Sequence, residues 1–340
     1  YNNLHHSSLL LIRIQFLLQS EHILRYNKCI PNEKRDFMLV ADLSDQLGNQ
    51  MFAYASVKTI ASKKGYNFHF VRAFNSRINN SDPKYGCEIH TIFPQTAAEL
   101  LSELPPLPNI WTETVTASSS QVYAKEAADV PDNTYMKGHF ISCLYFQDNL
   151  EQVRKWFSFS PDILNLCQSR FHYIQKAHPD KHLVAVHFRV GDDYRTQGFL
   201  LHQSYWYRAA EYMIRKYGKE HVLFLPFYDY RPSSGGIVNR FMQQYPCENI
   251  RGTLVEDMCT MTLFQDLIVS NSSFSAMAGI LNNTKDKQVL RPAVYPVGTQ
   301  YQPTDCFPDS WTIIPAQRDR LSWLYCRFMR LKGRLLKLFR

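Results

Sequence analysis

The chain has 340 residues and a mass of 39.8 kDa, enough for about two ordinary domains. Its 45% hydrophobic and 20% charged residues are typical of globular proteins and exclude a mostly disordered chain. Residues 320–340 supply seven positive charges of the net +8 and contain no acid, so the rest of the chain is nearly neutral, which argues against nucleic acid as a partner.

The segment 1–36 contains one apolar run, Leu9–Leu18, which is interrupted by Arg13. This run is shorter than the ~20 residues that a membrane-spanning helix needs. It fits either the end of a truncated signal anchor or a helix packed on the protein body. We predict that residues 1–36 are the remnant of an anchor or stem.

Residues 37–175 are predicted to form a first α/β domain. A short apolar strand at Phe37–Val40 precedes a turn, a helix from Met51 that ends at Gly65, and an alternating strand at Tyr66–Val71. This strand–turn–helix–strand unit is the building block of an α/β sheet. Residues 135–140 and 141–146 are expected to return to the sheet, and residues 148–176 are expected to be helical.

Residues 176–300 are predicted to form a second α/β domain. Leu183–Phe188 is a continuous apolar run, as expected for a central strand that is covered on both faces. Strands and helices then alternate at the spacing of a doubly wound parallel sheet. The further predicted elements are helix 204–217, strand 222–227, helices 237–245 and 255–265, strand 267–269, a helix from Ser270 to Leu281, and strand 288–291.

The last segment, 301–340, is predicted to end in a basic amphipathic helix. Leucines and a phenylalanine recur at helical spacing from Leu321 to Leu338, with cations on the other faces. Two interpretations are compatible with this pattern. The helix either docks on the protein body through its apolar stripe or lies on an acidic lipid surface.

Three short motifs contain residues suited to binding phosphate. Arg189 and Gly191 follow the apolar strand, at the edge where ligands bind in an open parallel sheet. An arginine there can form charge-assisted bonds with a phosphate, although these residues alone favour a structural ion pair between Arg189 and Asp192. Gly48 and Asn49 open one helix, and Ser272 and Ser273 open another. The free N–H groups at such a helix start can bind an anion. The simpler interpretation is that these residues only cap the helices.

In this order and spacing the motifs resemble those of the family 11 glycosyltransferases, the α-1,2-fucosyltransferases. That family has Gly-(Gly/Arg)-Leu-Gly-Asn-Gln-Met, His-x-Arg-Arg-Gly-Asp-Tyr, and Glu-Asp-(Leu/Met) before Asn-Ser-Ser-Phe-Ser, followed by Lys-x-Val-x-x-Pro. The corresponding segments here are 45–51, 187–194, 256–258 with 271–275, and 287–292. The resemblance covers residues 39–298.

The resemblance implies a GT-B-like α/β fold, with two Rossmann-type domains, parallel sheets and an interdomain cleft. It implies inverting, metal-independent transfer of L-fucose from GDP-fucose to the 2-hydroxyl of a terminal β-galactoside on a glycan, with no cofactor. By position, Arg189 would bind the donor pyrophosphate, His187 would support that loop, and Asn49 would face the pyrophosphate or fucose. The other implied donor-side residues are Gly48, Gln50, Asp229, Glu256, Ser272, Ser273 and Phe274.

The chemistry of the residues agrees with this expectation. GDP leaves as a diphosphate, so it needs positive charge or N–H donors, and the chain has no Asp-x-Asp pair of the kind that often holds a metal. The eight cysteines include no CxxC pair, which argues against a structural zinc site. Asp192 and Asp193 are both candidates for the base that activates the acceptor hydroxyl.

Two departures from the family pattern favour an alternative. Val190 stands where the family has its second arginine, and Asp45 stands where it has its first glycine. The alternative is a catalytically impaired member of the family that binds a nucleotide sugar or glycan. A Rossmann dehydrogenase is disfavoured, because no Gly-x-Gly-x-x-Gly follows a strand.

The resemblance also bears on location. Eukaryotic members of the family are Golgi membrane proteins with a luminal catalytic domain, whereas bacterial members are cytoplasmic. We expect the Golgi membrane, reached through the missing or truncated N-terminal anchor, with cytoplasm as the alternative.

Overall fold

The structure of the chain is a computed structural model that describes residues 37–72, 88–114, 123–229, 235–250, 252–297, 300–302 and 305–338. The anchor predicted around Leu9–Leu18 lies outside the described residues. In the described part, no helix combines the length and the apolar character that crossing a membrane requires.

The first half contains four parallel strands in the order β2-β1-β4-β3. The central strand β1 has its core residues almost fully covered, as in a strand that lies between helices. The elements are β1 (Met38–Leu43), α1 (Leu47–Lys64), β2 (Asn67–Arg72), α2 (Ile89–Ile92), β3 (Asn109–Thr112), β4 (Thr134–Lys137), α3 (Leu150–Trp156) and α4 (Pro161–Ala177).

The second half contains five parallel strands in the order β11-β8-β7-β5-β6. A separate antiparallel hairpin, β9 and β10, follows β8. The elements are β5 (His182–Phe188), α5 (Asp192–Gln197), α6 (Ser204–Tyr217), β6 (Val222–Tyr228), α7 (Gly235–Gln244), α8 (Leu254–Met261), β7 (Asp266–Ile268), α9 (Ser273–Leu281), β8 (Gln288–Pro292), β9 (Tyr295–Val297), β10 (Gln300–Gln302), β11 (Thr312–Ile314) and α10 (Arg320–Leu338).

These two parallel sheets with their helices confirm the expected α/β fold with two Rossmann-like halves. The apolar run after residue 182 is the central strand β5, which is buried along almost its whole length. Helix α1 ends at Gly65, whose φ of 68° is the left-handed conformation that glycine adopts at little cost. One large hydrophobic core includes residues from both halves, among them Tyr54, Phe140 and Met277.

Two features of the first half differ from the sequence-based expectation. The apolar run 141–146 is not a strand, because Cys143–Tyr145 forms a buried turn of 3₁₀ helix that packs into the core. An apolar run of this length cannot by itself distinguish a strand from another buried segment. The edge strand β3 was not expected, since its side chains alternate between half-buried and exposed and it follows a proline-rich loop.

In the second sheet the strand order reverses between β5 and β7, because β5 leads to β6 on one side and β7 leads to β8 on the other. At such a point the loops after two neighbouring strands diverge and leave a crevice at the carboxyl edge of the sheet. The segments that follow β5 and β7 are therefore one place where the fold positions a ligand site, and the segments that follow the neighbouring strands β1 and β4 lie at the carboxyl edge of the first sheet.

Helix α10 places Leu321, Leu324, Phe328 and Leu331 at the surface, so these members of the predicted apolar stripe do not dock on the protein body. The docked face is that of Ser322 and Cys326, which are each 4% exposed. The Ser322 hydroxyl donates to the backbone carbonyl of Arg195, at 2.9 Å. Leu321, by contrast, is 77% exposed.

Candidate active site

Arg189 follows the carboxyl end of β5 and connects the two halves. Its Nη2 donates to the side-chain oxygen of Gln46, in the β1–α1 turn of the first half, at 3.0 Å. The same nitrogen forms an ion pair with Asp193, and the guanidinium lies 4.5 Å from the centre of the Tyr194 ring. The side chain is 14% exposed, so the fold fixes this cation at the edge of the sheet.

The turn after β7 lies beside Arg189, because β7 pairs with β5 in parallel register. His187 Nδ1 and the Ser270 hydroxyl are hydrogen-bonded at 2.8 Å, and the Tyr194 hydroxyl donates to the carbonyl of Asn271 at 2.8 Å. The Phe274 ring is centred 5.6 Å from that of His187. The fold thus joins the second and third sequence motifs.

His187 is an uncharged support for this loop. Burial, with a smaller contribution from the positive charge of Arg189, lowers the pKa of His187 to about 3. Its imidazole is therefore neutral at physiological pH, and the adjacent backbone carbonyl accepts a hydrogen bond from the Trp206 indole at 3.0 Å. The supporting role that the family resemblance implies for His187 stays a prediction.

The first motif contacts the third through Gly48 and Asn49. A Cβ at Gly48 would lie 2.4 Å from the backbone nitrogen of Phe274 and 2.7 Å from the Ser273 hydroxyl, so only glycine permits this approach of α1 to α9. The Ser273 hydroxyl donates to Asn49 Oδ1 at 2.6 Å. All three motifs therefore meet at one place.

Asp229 also lies in this region, at the end of β6. A Cβ at Gly191 would lie 3.6 Å from Asp229 Oδ2, 3.8 Å from Arg189 Nη1 and 2.8 Å from Asp193 Oδ1. Gly191 therefore leaves the backbone open next to one cation and two carboxylates. Of the two base candidates, Asp193 is the one paired with Arg189, whereas Asp192 is exposed at the start of α5.

Two predicted site residues have contacts that are local to the fold. Gln50 is buried, and its amide bridges the carbonyl of Asp45 at 2.9 Å and the backbone N–H of Ile89 at 3.1 Å. Glu256 caps its own helix by accepting from the backbone N–H of Thr253, and it pairs with Arg170 at 3.4 Å. Ser272 occupies the N-cap position of α9, but its hydroxyl makes no capping bond.

The structure adds a histidine that the sequence analysis missed. His139 follows β4, and its Nε2 is 2.6 Å from Asp45 Oδ2, in the turn after β1. The hydrogen bond with Asp45 raises the pKa of His139, against the effect of burial. No motif marks His139, and the only sequence signal was the departure at Asp45, which adopts a positive φ of 63°.

Further carboxylates surround this pair. Glu113 Oε2 accepts from the backbone N–H groups of His139, at 2.9 Å, and Phe140, at 3.1 Å. Burial is the main cause that raises the pKa values of both Glu113 and Asp42. The carboxyl edge of the first sheet is therefore an acidic region arranged around one imidazole. Among the described residues, no three His, Cys, Asp or Glu side chains are grouped so that they could hold a metal ion.

No protein-family model matches the chain, and no curated protein matches it either. Solved structures that are similar include the fucosyltransferase NodZ from Bradyrhizobium, with 14% identity, a TM-score of 0.45, and coverage of 73% of this chain and 94% of that one. POFUT1 in complex with GDP-fucose has 12% identity, a TM-score of 0.42, and coverage of 75% and 98%. A variant of Arabidopsis thaliana FUT1 in complex with GDP has 13% identity, a TM-score of 0.43, and coverage of 88% and 77%. At these identities and TM-scores the likeness assigns neither a family nor an activity to this chain.

Proposed function

We propose that this chain is an inverting fucosyltransferase that moves L-fucose from GDP-fucose to the 2-hydroxyl of a terminal β-galactoside. The observation that supports it most is the position of Arg189. This cation lies at the strand-order reversal of the second sheet, hydrogen-bonded to the first-half turn that carries the Gly48–Asn49 motif. Four sequence motifs in family order, three of which meet in space, support the family-level part of the proposal.

The local chemistry suits a diphosphate leaving group. As the bond between fucose C1 and the phosphate oxygen breaks, negative charge develops on GDP and needs fixed positive charge or N–H donors. Arg189 supplies a cation whose direction is set by Gln46 and Asp193. The amino end of α9, which contacts Gly48 and Asn49, adds the positive end of its helix dipole.

Transfer of radiolabelled fucose from GDP-fucose to lactose tests this proposal. The wild-type chain is expected to form a labelled trisaccharide with inverted configuration at C1, and Arg189→Ala is expected to abolish both transfer and GDP binding. Arg208→Ala is the matched control, because this exposed arginine on α6 contacts Ser204 and the carbonyl of Pro315 instead. No turnover of GDP-fucose with any galactoside would contradict the proposal.

A second candidate function has one specific observation in its favour. Val190, at the position of the family's second arginine, is 1% exposed in the hydrophobic core of the second half. The site therefore lacks that cation, as expected of a member that binds GDP-fucose without efficient turnover. Tight GDP binding without transfer would favour this alternative.

Metal independence and the Golgi location stay predictions, to be tested by activity in EDTA and by imaging of the protein in cells.

A further inference from the structure

The carboxyl edge of the first sheet carries a second group of polar side chains, in which carboxylates surround His139. Asp45 follows β1 and His139 follows β4, and these neighbouring parallel strands bring the two residues together at the carboxyl edge of the first sheet. Asp45 Oδ2 also accepts from Asn49 Nδ2 at 3.4 Å, and Asn49 Oδ1 accepts from Ser273. A chain of hydrogen bonds thus leads from His139 to the amino end of α9.

We propose that His139 is the base that takes the proton from the acceptor hydroxyl, with Asp45 as its positioning residue. This inference rests on the proposed function. Because Nε2 faces Asp45, the second ring nitrogen, Nδ1, is the one that receives the proton. In the step, the acceptor oxygen forms a bond to C1 of fucose, the bond from C1 to the phosphate oxygen breaks, GDP leaves with that electron pair, and the hydroxyl proton moves to His139 Nδ1.

The surroundings of His139 suit this role. The charged and titratable groups that face it are Asp45 from the β1–α1 turn, Asp42 from β1 and Glu113 from the end of β3. Their charges favour the imidazolium that forms when the proton arrives. The His139 side chain is 40% exposed, so an acceptor can reach it. The Glu113 carboxylate holds the backbone at His139, because it accepts from the N–H groups of His139 and Phe140. Neither aspartate of the Arg189 loop has a comparable arrangement, because Asp193 pairs with Arg189 and Asp192 is exposed.

The test is the pH dependence of transfer to lactose by His139→Gln. The wild type should lose activity on the acidic side as the imidazole is protonated, and His139→Gln should lose that limb and about 10²–10⁴ in kcat. The KM for GDP-fucose should change little, because His139 lies in the first half. Asp45→Asn should move the acidic limb to lower pH, since the carboxylate raises the pKa of His139. Added imidazole should partly restore activity to His139→Ala.

The chain offers a matched control in His178→Gln. His178 pairs with Glu248 in the same way and with similar side-chain exposure, 32% and 34% against 40% and 38%, but at the opposite edge of the second sheet. This variant should keep the wild-type pH profile. A wild type without an acidic limb, or a His139→Gln variant that keeps kcat and the limb, would overturn the inference. An inactive wild type would instead overturn the proposed function.

A different observation carries a second inference, on helix α10. Six apolar side chains of this helix are exposed, namely Leu321, Leu324, Tyr325, Phe328, Met329 and Leu331. At helical spacing, Leu321, Leu324, Phe328 and Leu331 lie on the face away from Ser322 and Cys326 and form an apolar stripe. Arg320 and Arg327 flank the stripe, and residues 320–340 contain seven cations and no acid. An apolar face bordered by positive charge is complementary to a membrane surface that contains anionic lipid.

We infer that α10 binds an anionic phospholipid surface, with its leucine stripe in the interface and its docked face holding the protein body. The full chain should sediment with phosphatidylserine-containing vesicles, much less with pure phosphatidylcholine vesicles, and less as salt rises. The double variant Leu324→Gln, Phe328→Gln should weaken binding by about tenfold or more, since both side chains lose apolar burial.

Leu166→Gln is the control for this experiment, because Leu166 is an exposed apolar side chain on α4, at 44%. It should leave vesicle binding unchanged. Equal binding to both kinds of vesicle would overturn the inference. So would a dimer in solution that the Leu324–Phe328 variant converts to monomer, because the stripe would then be covered by a second copy of the chain.

Discussion

The carboxyl edges of the two parallel sheets carry opposite chemistry. The second-sheet edge presents Arg189 beside a neutral His187 and a serine-rich turn, whereas the first-sheet edge presents carboxylates around His139. The first arrangement complements a diphosphate that leaves with negative charge. The second complements hydroxyl groups and a departing proton. If the proposed function is correct, the second-sheet edge (the donor edge) binds GDP-fucose and the first-sheet edge (the acceptor edge) binds the galactoside, and substitutions at each edge test that division.

The largest effect is expected from Val190→Arg, which places the family's second arginine in this chain. Because Val190 is 1% exposed in the core, the new charge would be buried without a partner and should destabilise the fold by roughly 3–5 kcal/mol. Urea unfolding measures this, with Val190→Ile as the conservative control. A stable variant with faster transfer would show that the second-sheet edge is one cation short.

Arg189→Lys tests the donor edge while keeping its charge. Lysine lacks the planar guanidinium, of which Nη2 contacts Gln46 and Asp193 and the other N–H groups can bind a phosphate, so we expect transfer to fall by about 10²–10³, by analogy with the loss of one oxyanion donor. Steady-state kinetics with GDP-fucose and lactose measure it, and Arg208→Lys is the control. A rate near that of wild type would mean that charge alone suffices at this edge.

Gly48→Ala tests the contact between α1, in the first half, and the start of α9, in the second half. The added methyl would overlap the start of α9, so the two helices must separate, at a cost of about 1–3 kcal/mol. Thermal unfolding measures the loss, and Gly236→Ala is the control, because a Cβ there meets only the far end of Arg240, at 4.0 Å. Unchanged stability would show that this approach is not tight.

The smallest expected effect is the contribution of the His139–Asp45 pair to the free energy of unfolding, which depends on pH. Asp45 raises the pKa of His139 above its unfolded value of about 6.5, so the pair stabilises the fold fully below that pH and loses this contribution as pH rises through the folded pKa. Both side chains are more than one-third exposed, so at most about 1 kcal/mol is at stake. The difference in Tm between wild type and Asp45→Asn should shrink from acid to alkaline pH, and the same substitution in a His139→Gln background should show no such trend.

The donor edge was largely predictable from sequence, and the acceptor edge was not. Arg189, Ser273 and Asn49 belong to local motifs next to a recognisable buried strand, so their proximity followed from parallel topology. His139 has no motif, and it reaches Asp45 only because β4 pairs with β1 across almost a hundred residues, a register that local patterns do not encode. The buried turn at 143–145 was mistaken for a strand for a related reason, since burial makes both segments apolar.

The backbone contact at Gly48 also has a mechanical consequence. Because α1 and the start of α9 touch without an intervening side chain, the halves cannot slide toward each other at this point. Any relative motion of the two halves must therefore keep this backbone contact or break it, because Gly48 has no side chain that could rearrange to accommodate the motion.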